Sequence, residues 1–146
     1  MNGRRRPDWW EYALELARVA SVRSEDPYVQ VGAVILREDN SVASVGYNGP
    51  PAGVEVDWSD RDGRRPKIIH AEMNALRYLR PGEGTLLAVT LLPCGECLKN
   101  IASYGIRQVV FAEEYTNPQV YDKETTYAVA LEFGVVLTHL LERSAD

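Results

Sequence analysis

Three residues of this chain are suited to binding one metal ion, and few others of their kind exist in it. The chain has two cysteines, both in Pro93-Cys94-Gly95-Glu96-Cys97, and two histidines, of which His70 opens the segment His70-Ala71-Glu72. Cys94 and Cys97 are three positions apart, which places both sulfurs on one face of a helix. Two sulfurs and one imidazole nitrogen make a three-ligand zinc site that leaves the fourth tetrahedral position to water, whereas structural zinc sites fill all four with protein.

Glu72 gives the predicted zinc site a group that can move protons. It follows His70 by two positions, so it lies near the metal but points elsewhere around the helix. A carboxylate in that place can take a proton from water and return it to a substrate nitrogen. The residues therefore indicate addition of water across a carbon–nitrogen double bond, with release of ammonia.

Each half of this pattern has a simpler interpretation when taken alone. A Cys-x-x-Cys can be a redox pair, half of a structural zinc site or two packed thiols, and the histidine of a His-x-Glu is more often structural. Together they form His-x-Glu followed by Pro-Cys-x-x-Cys, which is the signature of zinc nucleobase deaminases. Both halves also stand at predicted helix starts, the context that this motif requires. Catalytic zinc is therefore favoured, and a zinc-binding module without catalysis is the alternative.

The elements that must position these residues alternate along the chain. Predicted strands comprise residues 29–36, 41–47, 85–90, 108–112 and 135–139. One predicted helix follows the capping residue Asp8. Three more cover residues 70–79, 94–104 and 122–133. Apolar strands alternating with helices predict a three-layer α/β/α domain, in which helices cover both faces of a mixed five-stranded sheet. We expect one domain over residues 1–146, a long polar loop at 48–67, and a site at the carboxyl ends of strands.

Composition excludes several classes of protein. The hydrophobic fraction of 45% and the charged fraction of 25% are typical of globular domains. No apolar run approaches the roughly 20 residues that cross a bilayer, and no apolar stretch follows the first arginines as in a signal peptide. We therefore expect a cytoplasmic protein without membrane contact. The net charge of −5 argues against a long nucleic acid as partner, since phosphate neutralisation supplies most of that affinity.

Several stretches between about Trp9 and Val136 carry a resemblance to a known family. They are RSEDP at 23–27, QVGAVI at 30–35, GYNG at 46–49, HAEMNA at 70–75, PCGECLK at 93–99 and GIRQVV at 105–110. On these stretches the chain resembles the deoxycytidylate (dCMP) deaminases of the cytidine deaminase superfamily. The resemblance implies a cytidine deaminase-like fold, zinc as cofactor, and hydrolysis of dCMP to dUMP and ammonia.

The same resemblance implies roles for further residues and an assembly. Asn48 is expected to contact the sugar, the backbone amide of Ala71 to bind the pyrimidine carbonyl, and Ser24 to belong to the substrate-binding residues. A homo-oligomer, commonly a hexamer, is implied as well.

The chain departs from the family at Glu25, where a lysine or arginine is usual. An acidic residue there would repel a nearby phosphate, so a free nucleoside, or another cytosine or adenine substrate, is an alternative. Cations at 61, 64, 65 and 67 precede His70. They form either a phosphate clamp that includes Arg64 and Arg65 or a solvated loop. Tyr115 and Tyr121, after the fourth strand, are candidates to cover the base or are ordinary packed tyrosines.

Overall fold

The computed structural model of the chain describes residues 3–116 and 122–141. Its helices are α1 (Trp9–Ser21), α2 (Arg61–Arg64), α3 (Ala71–Leu76), α4 (Gly95–Ser103) and α5 (Lys123–Phe133). Its strands are β1 (Gly32–Leu36), β2 (Val42–Tyr47), β3 (Leu86–Leu91), β4 (Gln108–Glu113) and β5 (Val136–His139). A short 3-10 helix, Arg65–Lys67, directly follows α2.

The five strands form one mixed sheet in the order β2-β1-β3-β4-β5. Strand β1 runs antiparallel to both β2 and β3, and β3, β4 and β5 are parallel. Gly32 at the start of β1 pairs with Tyr47 at the end of β2, and Ala33 pairs with Val89 near the end of β3. The carboxyl ends of β2 and β3 therefore meet at one edge of the sheet, and the predicted mixed five-stranded sheet is confirmed.

Alternate residues of the central strands enter two separate cores. On one face, buried residues of α1 pack against the sheet; this core comprises Ala13, Leu14, Ala17, Val34, Leu36, Leu86, Ala88 and Val110. On the other face, α3, α4 and Ala130 of α5 cover residues that include Ile35, Leu87, Val89 and Phe111. Strand β1 is buried along its whole length because helices cover both of its faces. The predicted three layers are thus confirmed, with α1 on one face and α3, α4 and α5 on the other.

The ends of the elements differ from the predicted bounds by a few residues. His70, Cys94 and Asp122 are the N-cap residues of their helices rather than the first helical residues. Residues 29–31, predicted to begin the first strand, lie outside β1 because the side chain of Asn48 takes their backbone groups. The stretch 48–67, predicted to be a loop throughout, contains α2 and the 3-10 helix.

Helix α3 lies unusually close to β2, which fixes the residues at its start. A Cβ atom on Gly46 would stand 2.5 Å from both Ala71 O and Ala75 N, so only glycine allows this approach. Two side-chain hydrogen bonds join the same elements: Ser44 Oγ donates to Ala75 O at 2.6 Å, and Asn74 Nδ2 donates to Tyr47 O at 2.8 Å. Close packing and hydrogen bonds together therefore set the position of α3 on the sheet.

In the ranges 3–116 and 122–141, no helix combines the length and the hydrophobicity that crossing a membrane requires.

Candidate metal centre and active site

The predicted metal ligands come together in one cluster. His70 Nδ1 lies 3.3 Å from Cys97 Sγ and 3.6 Å from Cys94 Sγ, and all three atoms lie within 4.8 Å of one another. A tetrahedral zinc ion, with bonds of about 2.0 Å to nitrogen and 2.3 Å to sulfur, holds such atoms roughly 3.6 Å apart. The three side chains therefore fit a zinc ion. No other group of three such ligands occurs within 3–116 and 122–141.

Two helix starts position this cluster at the edge of the sheet. His70 caps α3 and Cys94 caps α4, while Cys97 lies in the first turn of α4. Both helices pack against each other and begin next to the carboxyl end of β3. A helix amino terminus favours a thiolate over a thiol, because its dipole and its unpaired amides stabilise negative charge.

The protonation of the two cysteines reflects their contact with each other. A hydrogen bond from the Cys97 thiol holds the pKa of Cys94 at about 4. The same hydrogen bond, together with burial, raises the pKa of Cys97 well above its usual range. A hydrogen bond with Cys94 also raises the pKa of His70, although burial opposes this. The cysteine pair therefore shares a proton that binding of a metal ion would release.

Glu72 lies beside the metal ligands and is almost completely buried. It belongs to the first turn of α3, its side chain is within hydrogen-bonding reach of Cys97, and the residue is 4% exposed. Burial raises the pKa of Glu72 to about 7. A carboxyl group with a pKa near neutrality can both accept and donate a proton under physiological conditions.

These residues form part of the wall of an open cavity. Its empty volume, which includes space open to solvent, is about 570 Å³. The lining residues near the cluster are His70, Ala71, Glu72 and Cys94, and the apolar ones are Val29, Val31, Ile68, Leu91 and Leu92. Asp26, Asn48 and Tyr115 complete the lining. The cavity is suited to a flat, mostly apolar group with a few polar atoms.

Asn48 and Ala71, predicted from the resemblance to bind substrate, both line this cavity. Asn48 Oδ1 accepts a hydrogen bond from Val31 N at 2.8 Å, and Asn48 Nδ2 donates to Val29 O at 3.0 Å. The Nδ2 group has a second hydrogen beyond this bond. Ala71 is the first residue of α3, so its N–H is one of those that helix geometry leaves without an intrahelical acceptor.

Other predicted substrate-binding residues lie outside the cavity lining. Ser24 Oγ donates to Asn48 O at 2.9 Å and so helps to hold Asn48, which lines the cavity. The Arg64 guanidinium donates to Trp58 O at 2.8 Å and lies over the Tyr28 ring, 4.3 Å from its centroid. Arg65 is exposed in the 3-10 helix. Tyr121 falls outside the described residues, and the binding roles of all four remain predictions.

The structure adds Asp26 to the lining of the site and gives Tyr115 a structural contact as well. Asp26 lines the cavity although sequence reasoning did not select it, since an aspartate before a proline is also a common turn residue. Tyr115 lines the cavity as well, and its hydroxyl donates a hydrogen bond to Pro93 O. That hydrogen bond holds the residue immediately before the metal ligand Cys94.

Comparison with known proteins identifies the family. Residues 7–113 match the model of the cytidine and deoxycytidylate deaminase zinc-binding region. The chain belongs to the cytidine and deoxycytidylate deaminase family. The predicted family, its fold and zinc as the cofactor are thereby confirmed.

Individual members of this deaminase family cover most of the chain. Deoxycytidylate deaminase of Mus musculus is 35% identical in an alignment 136 residues long that covers 86% of this chain and 74% of that protein. The deoxycytidylate deaminase of Mycobacterium phage D29 is 38% identical in an alignment 127 residues long that covers 75% of this chain and 98% of that protein. The crystal structure of cyanophage S-TIM5 dCMP deaminase in complex with dCMP and dUMP matches with a TM-score of 0.75 at 27% identity, covering 93% of this chain and 99% of that chain.

Proposed function

We propose that the protein hydrolyses dCMP to dUMP and ammonia in a zinc-dependent reaction. The observation that carries this proposal is the position of Glu72, buried on the wall of the cavity and in contact with the cluster of His70, Cys94 and Cys97. A metal site with structural purpose alone would need no carboxyl group of this kind beside it.

His70, Cys94 and Cys97 are the residues that would hold the ion. When bound through three protein ligands, zinc supplies an activated water as nucleophile near neutral pH. Neither cysteine is exposed, which limits access to the ligands from outside the cavity.

Glu72 is the group that moves the protons. Hydrolysis forms a bond from the oxygen of water to C4 of cytosine and breaks the bond from C4 to the amino nitrogen. The Glu72 carboxylate accepts one proton from the attacking water and passes it to ring N3, then carries the second proton from the same oxygen to the amino nitrogen, which leaves as ammonia while C4 becomes a carbonyl. Burial of Glu72 keeps its pKa near 7, which suits both halves of this transfer.

The rest of the cavity is suited to a pyrimidine. Apolar side chains such as Val31, Ile68 and Leu92 can contact the faces of the ring. We expect the Ala71 N–H to donate to its carbonyl, since helix geometry leaves that N–H without an intrahelical acceptor. The Tyr115 ring is a second candidate to cover the base. The related proteins named above are dCMP deaminases, which favours a nucleotide over a nucleoside as the substrate of this chain.

The place of the phosphate is a proposal of its own. Arg64 and Arg65 are the predicted clamp, and Ser24 and Tyr121 are further predicted substrate contacts. The position of Arg64 over Tyr28 supports a role near the cavity, since Tyr28 directly precedes the lining residue Val29.

Assembly and location are proposed with the activity. We expect a homo-oligomer, with a hexamer as the form that family resemblance implies, and a cytoplasmic protein that forms one domain over residues 1–146. Exposed apolar side chains support an interface: Leu131 on α5 is 82% exposed and Val136 on β5 is 53% exposed. Light scattering on the purified protein measures the subunit number directly.

Ammonia release from dCMP, deoxycytidine and dCTP tests the proposed substrate. We expect dCMP to be turned over with the highest kcat/KM. A preference for deoxycytidine would replace the nucleotide assignment with a nucleoside one, and zinc-containing protein that releases ammonia from none of them would refute the deaminase.

A further inference from the structure

Glu114 lies where the ends of β4 and β5 and the start of α5 meet. It directly follows β4, and its side chain is 29% exposed. Oε1 faces the end of β5, where His139 Nδ1 lies at 3.7 Å. Oε2 faces α5, where the Tyr127 hydroxyl donates to it at 3.3 Å and Lys123 Nζ lies at 3.7 Å. The Glu114 carboxylate therefore joins the segment after β4 to two other elements.

Two of the groups around Glu114 are held against the buried ring of Phe111. The His139 ring stacks on Phe111 with centroids 4.9 Å apart, and the centroid of the Tyr127 ring lies 6.4 Å from that of Phe111. His139 Nε2 donates to Ala112 O at 2.9 Å, since a carbonyl oxygen can only accept. Because Nε2 is used in this way, Nδ1 is the nitrogen that faces Glu114.

The residue after Glu114 is Tyr115, which lines the cavity. Its backbone follows a fixed point, because the carbonyl oxygen of Glu113 accepts from Leu92 N at 2.8 Å. The Tyr115 hydroxyl donates to Pro93 O, which fixes the far end of the side chain. We propose that Glu114 is a positioning residue that acts through Tyr115. By joining residue 114 to β5 and α5, it keeps the Tyr115 ring against the cytosine base and so raises the affinity for substrate.

This inference rests on the proposed function, in which the Tyr115 ring is a candidate to cover the base. It predicts an effect on binding rather than on proton transfer, because Glu114 is not among the residues that line the cavity beside Glu72 and the metal ligands. A well-placed aromatic contact changes affinity by about 3- to 10-fold.

The first test is the kinetics of Glu114→Ala. We expect KM for dCMP and for deoxycytidine to rise by the same factor, about 3- to 10-fold, because both substrates carry the same base. The values of kcat and zinc content should stay close to those of the unchanged protein. A role in stability alone would lower the melting temperature and leave KM unchanged, which would overturn the inference.

A double-mutant cycle tests whether Glu114 acts through Tyr115. Tyr115→Ala removes the ring and should raise KM at least as much as Glu114→Ala does. Adding Glu114→Ala to Tyr115→Ala should raise KM no further, because the ring to be positioned is gone. Two rises in KM that multiply in the double variant would overturn the inference.

Glu113→Ala is the matched control, because Glu113 is the neighbouring glutamate and its side chain is exposed. It should keep the KM of the unchanged protein. If Glu114→Ala does not fold, Glu114→Gln takes its place in the cycle, since it keeps the length of the side chain and an oxygen for the Tyr127 hydroxyl. We expect its KM to rise at least about twofold.

The outcomes separate the inference from the activity on which it rests. An unchanged KM in folded Glu114 variants would overturn the positioning role and leave the deaminase intact. Absence of ammonia release from dCMP by the unchanged, zinc-containing protein would overturn the proposed function and the inference with it.

Discussion

Two regions rich in potentially functional side chains follow each other along the chain and are held in opposite ways. The zinc corner, formed by His70, Glu72, Cys94 and Cys97, is enclosed by the sheet edge and two helix starts, and Glu72 is 4% exposed. The arginine loop, residues 61–67, has no buried residue, and its short helices carry cations at the surface. Within this loop, the contacts of the Arg64 side chain are with Trp58 O and the Tyr28 ring.

The difference shows what makes a group of side chains into a reaction site. In the zinc corner, the backbone sets the position of every ligand: α3 is held against β2 at Gly46, and Cys94 caps α4. Preorganised groups of this kind act without reorganisation cost during the reaction. In the arginine loop, Arg61, Arg65 and Lys67 are exposed, and Arg64 is held only by one hydrogen bond and a ring contact, so we expect any contribution to be to binding.

The largest expected effect concerns proton transfer in the zinc corner. Glu72→Gln keeps the shape of the side chain but cannot accept and return a proton, so we expect kcat for dCMP to fall at least about 100-fold. Zinc content and thermal unfolding should stay close to those of the unchanged protein. Steady-state ammonia release measures the change.

Glu96→Gln is the control for this variant, because Glu96 lies between the two cysteines in sequence but is exposed and pairs with Lys99 at 2.9 Å. It should retain nearly full activity. Comparable losses of kcat in both variants would mean that turnover depends on negative charge near the start of α4. Proton transfer by Glu72 would then not explain the loss.

The arginine loop gives the next largest expected effect and separates binding from catalysis. Replacing Arg64 and Arg65 together with alanine should raise KM for dCMP about 10- to 100-fold, since each charge-assisted contact to phosphate contributes roughly 1.5–3 kcal/mol. Turnover of deoxycytidine should not change, because the zinc corner is untouched. Michaelis–Menten kinetics with both substrates provide the comparison.

Single variants sharpen this prediction. We expect Arg64→Ala to account for more of the effect than Arg65→Ala, because Arg64 lies over Tyr28 near the cavity. Arg61→Ala serves as a control within the same loop. Equal effects on the nucleotide and the nucleoside would show that the loop is merely a solvated surface.

A pair of glycines compares the packing of the two regions. In Gly46→Ala the new Cβ would meet backbone atoms of α3 at 2.5 Å, so we expect a loss of about 1–3 kcal/mol in the free energy of unfolding. In Gly63→Ala, within the arginine loop, the new Cβ would meet the Asp60 side chain, which caps α2 by accepting from Gly63 N and can rotate away with the loss of that hydrogen bond. We expect that variant to lose no more than about 1 kcal/mol, the usual contribution of one N-cap.

Urea denaturation measures both stabilities. Zinc content should also fall in Gly46→Ala, since α3 carries His70. A Gly46→Ala protein as stable as Gly63→Ala would contradict the tight placement of α3.

The smallest expected effect concerns the support of Cys94. Tyr115→Phe removes the hydrogen bond to Pro93 O, and we expect the free energy of unfolding to fall by about 0.5–1.5 kcal/mol. Tyr78→Phe is the control, because the Tyr78 hydroxyl is at an exposed position and accepts a long hydrogen bond of 3.4 Å from Arg77, and it should change stability by no more than about 0.5 kcal/mol. If the two variants are equally stable, the hydroxyl of Tyr115 does not hold the turn before Cys94.

The same two regions show which features could be predicted from sequence. His70, Glu72, Cys94 and Cys97 could be predicted because their spacing is local and both halves of the motif stand at helix starts. The sheet could be predicted because its strands are continuous apolar runs between helices. The conformation of residues 26–31 could not be predicted from sequence. The side chain of Asn48, 17 residues beyond Val31, binds backbone groups of this segment, so that the segment lies outside β1.

The role of the cations in the arginine loop could not be predicted from sequence either, and the reason is physical. A run of cations has the same sequence pattern whether it binds phosphate or faces solvent, and only the fold decides which side chains reach a cavity. The position of Asp26 on the cavity wall likewise depends on tertiary contacts, so it could be identified only from the structure.

The zinc content of the purified protein tests the central claim most directly. If His70, Cys94 and Cys97 hold a catalytic metal, elemental analysis of freshly prepared, undenatured protein should find about one zinc ion per chain. Folded protein that contains no zinc would contradict the metal site, and with it the mechanism that depends on Glu72.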